Sequence, residues 1–319
     1  MRVLRLLAAA ILLVSCSAVP ASAPPSASPA KATASAPTAA VASASPHYPL
    51  TVTDDRGKAL TLTHAPRRIV SLAPSATEIV FALGMGERIV ADDDFSDYPA
   101  AAKSLPHVGG VDASAGKIVS YSPDLILAIP SVRLATLDRI GEPVFVLDPN
   151  DIDGVYHDIA DLGTLLDREG AANGIVADMR ARIDAVAEKA KTATTRPRVL
   201  HEVDASDPSK IFVAGPHNFI DSMITTAGGV NVAADAPTKW PQLSPEEIVA
   251  RDPQVIVLGD AAYGVTPALV AARPGWSGIS AVRSGRVYPV DQDIVSRPGP
   301  RLVQGFEAYI RLIHPELFP

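Results

Sequence analysis

Two segments of the chain, SAGKIVSYSPDLIL from Ser114 and SPEEIVARDPQVIV from Ser244, align with each other without a gap. A chain that carries one local pattern twice is constrained to fold as two similar halves. Ser114 and Ser244 are the residue type whose hydroxyl caps the free N–H groups at a helix start. In the second copy Pro245 takes the first helical position and Glu247 completes a capping box. Ile118 and Val119, matched by Ile248 and Val249, give the short helix its apolar side, and Pro123 and Pro253 forbid further helix. Each proline leads into a continuous apolar run, Leu125 to Ala128 and Val255 to Leu258, as expected of a strand buried on both faces. Helix then buried strand, used twice, predicts an α/β fold of two lobes.

Length and composition fit that fold and exclude several partners. With 319 residues, 47% of them hydrophobic, the chain can bury one or two sizeable cores. A net charge of −7 with no basic cluster argues against nucleic acid and anionic membrane surfaces as direct partners, because both need an electropositive face. Cys16 is the only cysteine, so no internal disulfide forms, and no Cys/His pair has zinc spacing. No metal site is expected.

Cys16 closes a distinctive start. Met1 to Arg5 is a short basic segment, and Leu6 to Val14 is an apolar run too short to span a bilayer as a mature helix. Leu13-Val14-Ser15-Cys16 ends it and is similar to the lipobox of bacterial lipoproteins, in which the chain is cut before the cysteine and the cysteine carries acyl chains. The alternative is an ordinary secretory signal; on either reading the mature protein is exported. Residues 17–46 are almost wholly Ala, Ser, Pro and Thr, the composition of a disordered tether.

The ordered body divides by its punctuation. Residues 47–66 read as a hairpin, with Leu50 and Val52 answering Leu60 and Leu62 across a turn at Asp54 to Lys58. Residues 67–166 form an N-terminal lobe. Its strand Arg68 to Leu72 is followed by a capping box, Ser75-Ala76-Thr77-Glu78, that opens a helix ending at Gly84. A short strand, Ile89 to Ala91, leads into the polar and aromatic loop Asp92 to Pro99, and Val144 to Leu147 is a late strand. Residues 167–193 hold a linking helix, Glu169 to Lys191, with Ile175, Val176, Met179, Ile183 and Val186 at helical spacing.

Residues 194–319 repeat the plan as a C-terminal lobe: a strand over Val199 to Val203, a helix over Phe219 to Ala227, a loop at Trp240-Pro241-Gln242, a strand over Val287 to Val290 and a last helix from about Arg301 to Ile313. In open parallel sheets ligands sit beyond the C-terminal strand ends, so the loops there are where function is sought. Trp240 comes after the breaker-rich run Asp235 to Lys239 and precedes Pro241, which places it on such a loop.

The run Arg68 to Ile79 (RIVSLAPSATEI), the loop Phe95-Ser-Asp-Tyr-Pro and the run Trp240 to Glu247 (WPQLSPEE) resemble the cobalamin-binding member of the helical-backbone periplasmic binding proteins. These are the substrate receptors of iron-complex and cobalamin ABC importers. The resemblance covers about Arg68 to the C-terminus. It implies two Rossmann-like lobes joined by one long helix, a ligand cleft between them that closes only slightly, and a monomer. It also implies that Phe95, Phe212, Trp240, Asp293 and Arg297 face a corrinoid, with the aromatics against the macrocycle and the Asp293 and Arg297 pair orienting polar groups. Where the pattern can carry a second Trp, this chain has Val111 and a one-residue deletion, which keeps a cobalamin precursor or analogue in play.

Ferric siderophore and haem receptors share that fold. A haem iron needs an axial ligand, for which Tyr98, His107 and His217 are the loop candidates, and an anionic siderophore favours several cleft arginines, here Arg297 and Arg133. By resemblance, one acid at the top of each lobe meets arginines of the membrane permease. Glu246 fits in the second lobe, whereas the first offers Gly116, leaving asymmetric docking or another acid such as Asp112.

Enzymatic function is disfavoured: there is no Gly-x-Ser-x-Gly elbow, no His-Glu-x-x-His metal motif and no glycine-rich phosphate loop. The resemblance makes a bound corrinoid the expected ligand, with no resident cofactor.

Overall fold

In the computed structural model both copies of the repeated segment form the expected unit. The first is helix α2 (Ala115–Val119) and strand β5 (Leu125–Ala128); the second is α7 (Pro245–Arg251) and β11 (Val255–Leu258). Ser114 Oγ accepts the Lys117 N–H, and Ser244 with Glu247 forms the full capping box. Ahead of each proline the chain turns through the left-handed region, at Ser122 (φ 46°) and Asp252 (φ 42°).

The duplication reaches further than the aligned segments. Arg68 Nε donates to the carbonyls of Tyr121 and Ser122, both at 3.1 Å, and Arg198 Nε donates to those of Arg251 and Asp252 at 3.2 and 3.0 Å. Each arginine clasps the chain where it leaves the repeat helix, so each lobe's first strand is stapled to its central one.

The structure describes residues 48–110, 113–130 and 134–318, which fall in one compact unit. The lipobox with Cys16, the tether, Val111, Asp112 and Arg133 lie outside the described residues. β1 (Leu50–Thr53) and β2 (Ala59–Leu62) pair as the antiparallel hairpin. β3 (Ile69–Ser71), β4 (Ile89–Asp92), β5 and β6 (Val144–Val146) make an all-parallel sheet in the order β4-β3-β5-β6. Its helices are α1 (Pro74–Ala82), α2 and α3 (Leu134–Ile140).

The second sheet runs β10-β8-β7-β11-β12, from β10 (Gln242–Leu243), β8 (Ile211–Val213), β7 (Arg198–Asp204), β11 and β12 (Val287–Pro289), with β9 (Val230–Asn231) also beside β7. β7, β9, β11 and β12 run parallel, and β8 alone runs against them, pairing antiparallel with both β7 and β10. α6 (Phe219–Thr226), α7, α8 (Pro267–Ala271), α9 (Ser280–Arg283), α10 (Gln292–Ser296) and α11 (Leu302–Ile313) complete this lobe.

Between the sheets run α4 (Ile152–Leu165) and α5 (Glu169–Ala190). At 1.5 Å per residue α5 is about 33 Å long. One continuous core passes through both lobes: Ile69, Leu125 and Phe145 of the first sheet connect through Ile159, Leu162 and Met179 to Met223, Phe306 and Tyr309 of the second lobe. Each large apolar side chain buried this way contributes about 1.5–3 kcal/mol. The lobes are therefore held by packing as well as by the single chain crossing at α5, and large rigid-body opening would expose that core.

Two expectations are corrected. Ser75 to Glu78 is not a capping box: α1 begins at Pro74 with Ala73 at its N-cap and no side-chain cap. Proline presets the first helical φ, so the helix starts one residue early. Thr77 Oγ1 then bonds Ser71 Oγ and Ser96 Oγ, each at 2.8 Å, and Glu78 turns toward the other lobe. The run from Trp240 is loop only through Pro241, because Gln242 and Leu243 pair with Phe212 and Ile211 as β10.

Candidate functional site

The C-terminal ends of both sheets face a cleft of about 510 Å³, within the usual range for small-molecule sites. Ile129, Pro130, Leu147 and Asp148 come directly after β5 and β6 on one side; Val203, Phe219, Lys239 and Trp240 form the other, and Gln292 and Ser296 of α10 border it. Most of this lining is apolar. Six of the eight large hydrophobic side chains exposed among the described residues, Phe95, Tyr98, Ile129, Phe212, Trp240 and Tyr263, lie in or beside the loops at these strand ends. Apolar exposure so concentrated marks a contact surface.

Trp240 is 40% exposed and meets Phe219 edge-on, with ring centroids 6.3 Å apart at 68°. One side of the indole is thus fixed and another remains open to the cleft. Its loop is held from below: Asn218 Nδ2 donates to the carbonyls of Gly215 (2.8 Å) and Lys239 (2.9 Å), while its Oδ1 caps α6 through the N–H groups of Ile220 and Asp221. Gly215 is required here, since a Cβ would collide with the Thr238 carbonyl oxygen and lie 2.7 Å from Pro241 Cδ.

Asp293 and Arg297 are brought together at 2.7 Å, and the arginine makes further ion pairs. Arg297 also pairs with Asp97 (2.7 Å) and Glu78 (3.4 Å), and Arg301 takes Glu78 in a bidentate bond and covers the Tyr98 ring at 3.9 Å. Glu78, Asp97 and Tyr98 belong to the first lobe, so the two arginines bridge the lobes beside the cleft. Burial lowers the Arg297 pKa, but the Asp97 bond and the surrounding carboxylates outweigh it and leave the guanidinium more firmly charged.

Phe95 is 55% exposed, and its loop is anchored by a buried chain of hydroxyls: Ser96 Oγ bonds Asp93 Oδ2 (3.0 Å), and Asp93 Oδ1 accepts the Phe95 N–H (2.7 Å). Phe212 projects from β8 opposite Asp204 and Gln242. Neither phenylalanine lines the 510 Å³ cleft. Glu246 is exposed on the first turn of α7, and at the matched place on α2 a Cβ on Gly116 would meet nothing within 4 Å.

Two features carry no signal in the sequence. Lys239 Nζ reaches Asp148 Oδ1 across the cleft at 2.9 Å, a second bridge between the lobes. His107 Nδ1 lies 2.6 Å from Asp92 Oδ1, and burial pushes the Asp92 pKa up to about 6 against the pull of that bond. Both pairs join residues far apart in the chain or in different elements, so no local pattern announces them. Among the described residues no cluster of His, Cys, Asp and Glu could hold a metal ion.

The profile of the family described as periplasmic binding protein matches residues 69–294. The chain belongs to the periplasmic binding protein family. Such proteins are non-enzymatic transport components with a two-lobe fold. This periplasmic binding protein is 35% identical over 278 residues to YvrC, an ABC transporter substrate-binding lipoprotein of Bacillus subtilis, covering 85% of this chain and 87% of the relative. It is 34% identical over 280 residues to a cobalamin-binding protein of Halobacterium salinarum, covering 84% and 74%. Among solved structures it is similar to the haem-binding protein RhuT of Roseiflexus, with 31% identity, a TM-score of 0.68, and coverage of 79% and 99%.

Proposed function

We propose that this protein is the exported receptor of an ABC importer, anchored by lipid at Cys16, and that it captures cobalamin or a related corrinoid and delivers it to a permease. The carrying observation is the cleft: an apolar space of about 510 Å³ with the Trp240 indole held at its edge. A rigid aromatic face beside an aliphatic floor suits a large, flat macrocycle. Charge supports the same ligand. Lys239 is the only cation among the described residues that line the cleft, and Asp148 already pairs with it. Haem propionates and anionic siderophores lack a free counter-charge there, whereas an amide-bearing corrinoid needs none.

Glu246 is the proposed permease contact, exposed and unused by the capping box that employs its neighbour Glu247. The receptor itself makes and breaks no covalent bond.

Fluorescence tests the pocket directly, because the chain has two tryptophans and the other, Trp276, is fully buried. With Trp276→Phe isolating the signal, cyanocobalamin should quench Trp240 saturably; unquenched emission up to millimolar ligand would reject the assignment. Haem is the second reading, favoured by one observation: Asp92 orients the His107 imidazole as carboxylates orient metal-ligating histidines. A Soret shift with haemin that His107→Ala abolishes would support it over the first.

A further inference from the structure

Next to Val203, which borders the cleft, the C-terminal ends of β7 and β11 open a second cavity of about 450 Å³. Its polar lining is acidic and hydroxylic: Asp204, Asp260, Ser206 and Tyr263. Asp260 is only 2% exposed. Its Oδ2 accepts the Ala205 N–H at 3.1 Å, and its Oδ1 has no hydrogen-bond partner among the described residues. A buried acceptor without a donor is costly, so such an oxygen at the wall of a cavity marks a place for one.

The protein's own nearest cation cannot serve. Arg273 is committed to Glu202 by two bonds, 2.5 and 2.7 Å, and stacks over Trp276 at 4.6 Å. Burial first, and then the Glu202 charge, push the Asp260 pKa up to about 6, an effect that an incoming donor would oppose. Asp204 Oδ1 accepts the Ser206 N–H at 2.7 Å and leaves a second oxygen at the exposed rim. No cluster of His, Cys, Asp and Glu among the described residues could hold a metal ion here, so the donor this oxygen calls for is an N–H or O–H, from water in the empty cleft and from a ligand when one is bound.

We infer that this annex is a specificity subsite for the rim of the bound macrocycle, in which Asp260 Oδ1 accepts a hydrogen bond from a carboxamide N–H of the ligand and a carboxylate at the same place is turned away. The inference rests on the corrinoid reading, since a corrinoid carries primary amides around its edge. An amide satisfies the orphaned oxygen, whereas a carboxylate brings a second acceptor and a like charge against Asp204 and Asp260. The annex thus selects a fully amidated corrinoid over an incompletely amidated one.

The test is calorimetric titration of the full chain with cyanocobalamin and with its separated monocarboxylic acids, each lacking one rim amide. The wild type should bind at least one monoacid about tenfold or more weakly than cyanocobalamin. Asp260→Asn, which keeps an acceptor for Ala205 and adds a donor, should shrink that gap to about threefold or less. If Asp260→Asn does not fold, Asp204→Lys at the exposed rim decides, and it should raise affinity for the same monoacid. Corrinoid binding with every monoacid within about twofold of the amide would overturn the annex alone, as would a gap unchanged in the variants. Absence of all corrinoid binding would overturn the receptor reading and the annex together.

Discussion

Arg301, the N-cap residue of α11, grips Glu78 of α1 with two guanidinium nitrogens, Nε to Oε2 at 2.8 Å and Nη2 to Oε1 at 2.5 Å, so the start of a helix in one lobe is tied to a helix of the other. Glu78 is 3% exposed and also faces Arg297, while Asp97 and Asp293 bring to three the carboxylates around the two arginines. Neutralising Glu78 leaves Asp97 and Asp293 to balance the two arginines, so what is lost is the pair of charge-assisted bonds to Arg301. Glu78→Gln should therefore lower stability by about 1.5–3 kcal/mol in urea unfolding. An unchanged midpoint would mean that the bridge does not hold the lobes.

The buried carboxyl of Asp158 on α4 gives a pH prediction with a definite sign. Burial, and then the nearby Asp55, push its pKa up to about 9, with Asp161 and Asp148 adding to the shift. The folded state then binds a proton that the unfolded chain releases near pH ~4, so this group's stabilising contribution is complete below pH ~4, falls as pH rises, and is lost above pH ~9. Asp158→Asn keeps a donor toward Asp55 without the titration. The variant should gain stability relative to the wild type as pH rises from about 5 to about 8, read as the difference in unfolding midpoints. A difference independent of pH would contradict the assignment.

Gly215→Ala places a methyl group against the Thr238 carbonyl and Pro241, which must move the loop that carries Trp240. The cost in stability should be about 1–3 kcal/mol. Affinity for the ligand should fall as well, because the indole loses its fixed edge contact with Phe219. Calorimetry on the folded variant checks this; full affinity would show that the loop position does not matter.

Gly116→Glu should be tolerated without loss of stability, since the added side chain enters open space on α2. If Glu246 is the permease contact, its removal as Glu246→Ala should reduce uptake in cells while leaving ligand affinity intact. The Gly116→Glu variant should then raise uptake by supplying the second acid. Uptake insensitive to both substitutions would reject docking through these helix starts.

The repeated segment makes the two lobes legible, and the caps at Ser114 and Ser244 come from residue types that act within one helical turn. Trp240 is legible as a loop residue because breakers flank it. Glu78 misleads because the spacing to Ser75 imitates a capping box, while its real partner Arg301 lies 223 residues away. The bridging role of Arg297 is hidden in the same way, its carboxylate partners Glu78 and Asp97 being supplied by the other lobe. Strands β8 and β10, at three and two residues, are too short to show a period and exist through pairing alone. Local chemistry is written in the sequence here, and contacts between the lobes are not.

The most direct measurement of the central claim is calorimetric titration of the wild type and Trp240→Ala, each with cyanocobalamin, haemin and a ferric siderophore. The proposal expects the wild type to bind cyanocobalamin in the micromolar range or tighter, to bind the other two more weakly, and to lose about tenfold or more with Trp240→Ala. Tighter binding of haemin or the siderophore, or an affinity for cyanocobalamin that is undiminished in Trp240→Ala, would contradict it.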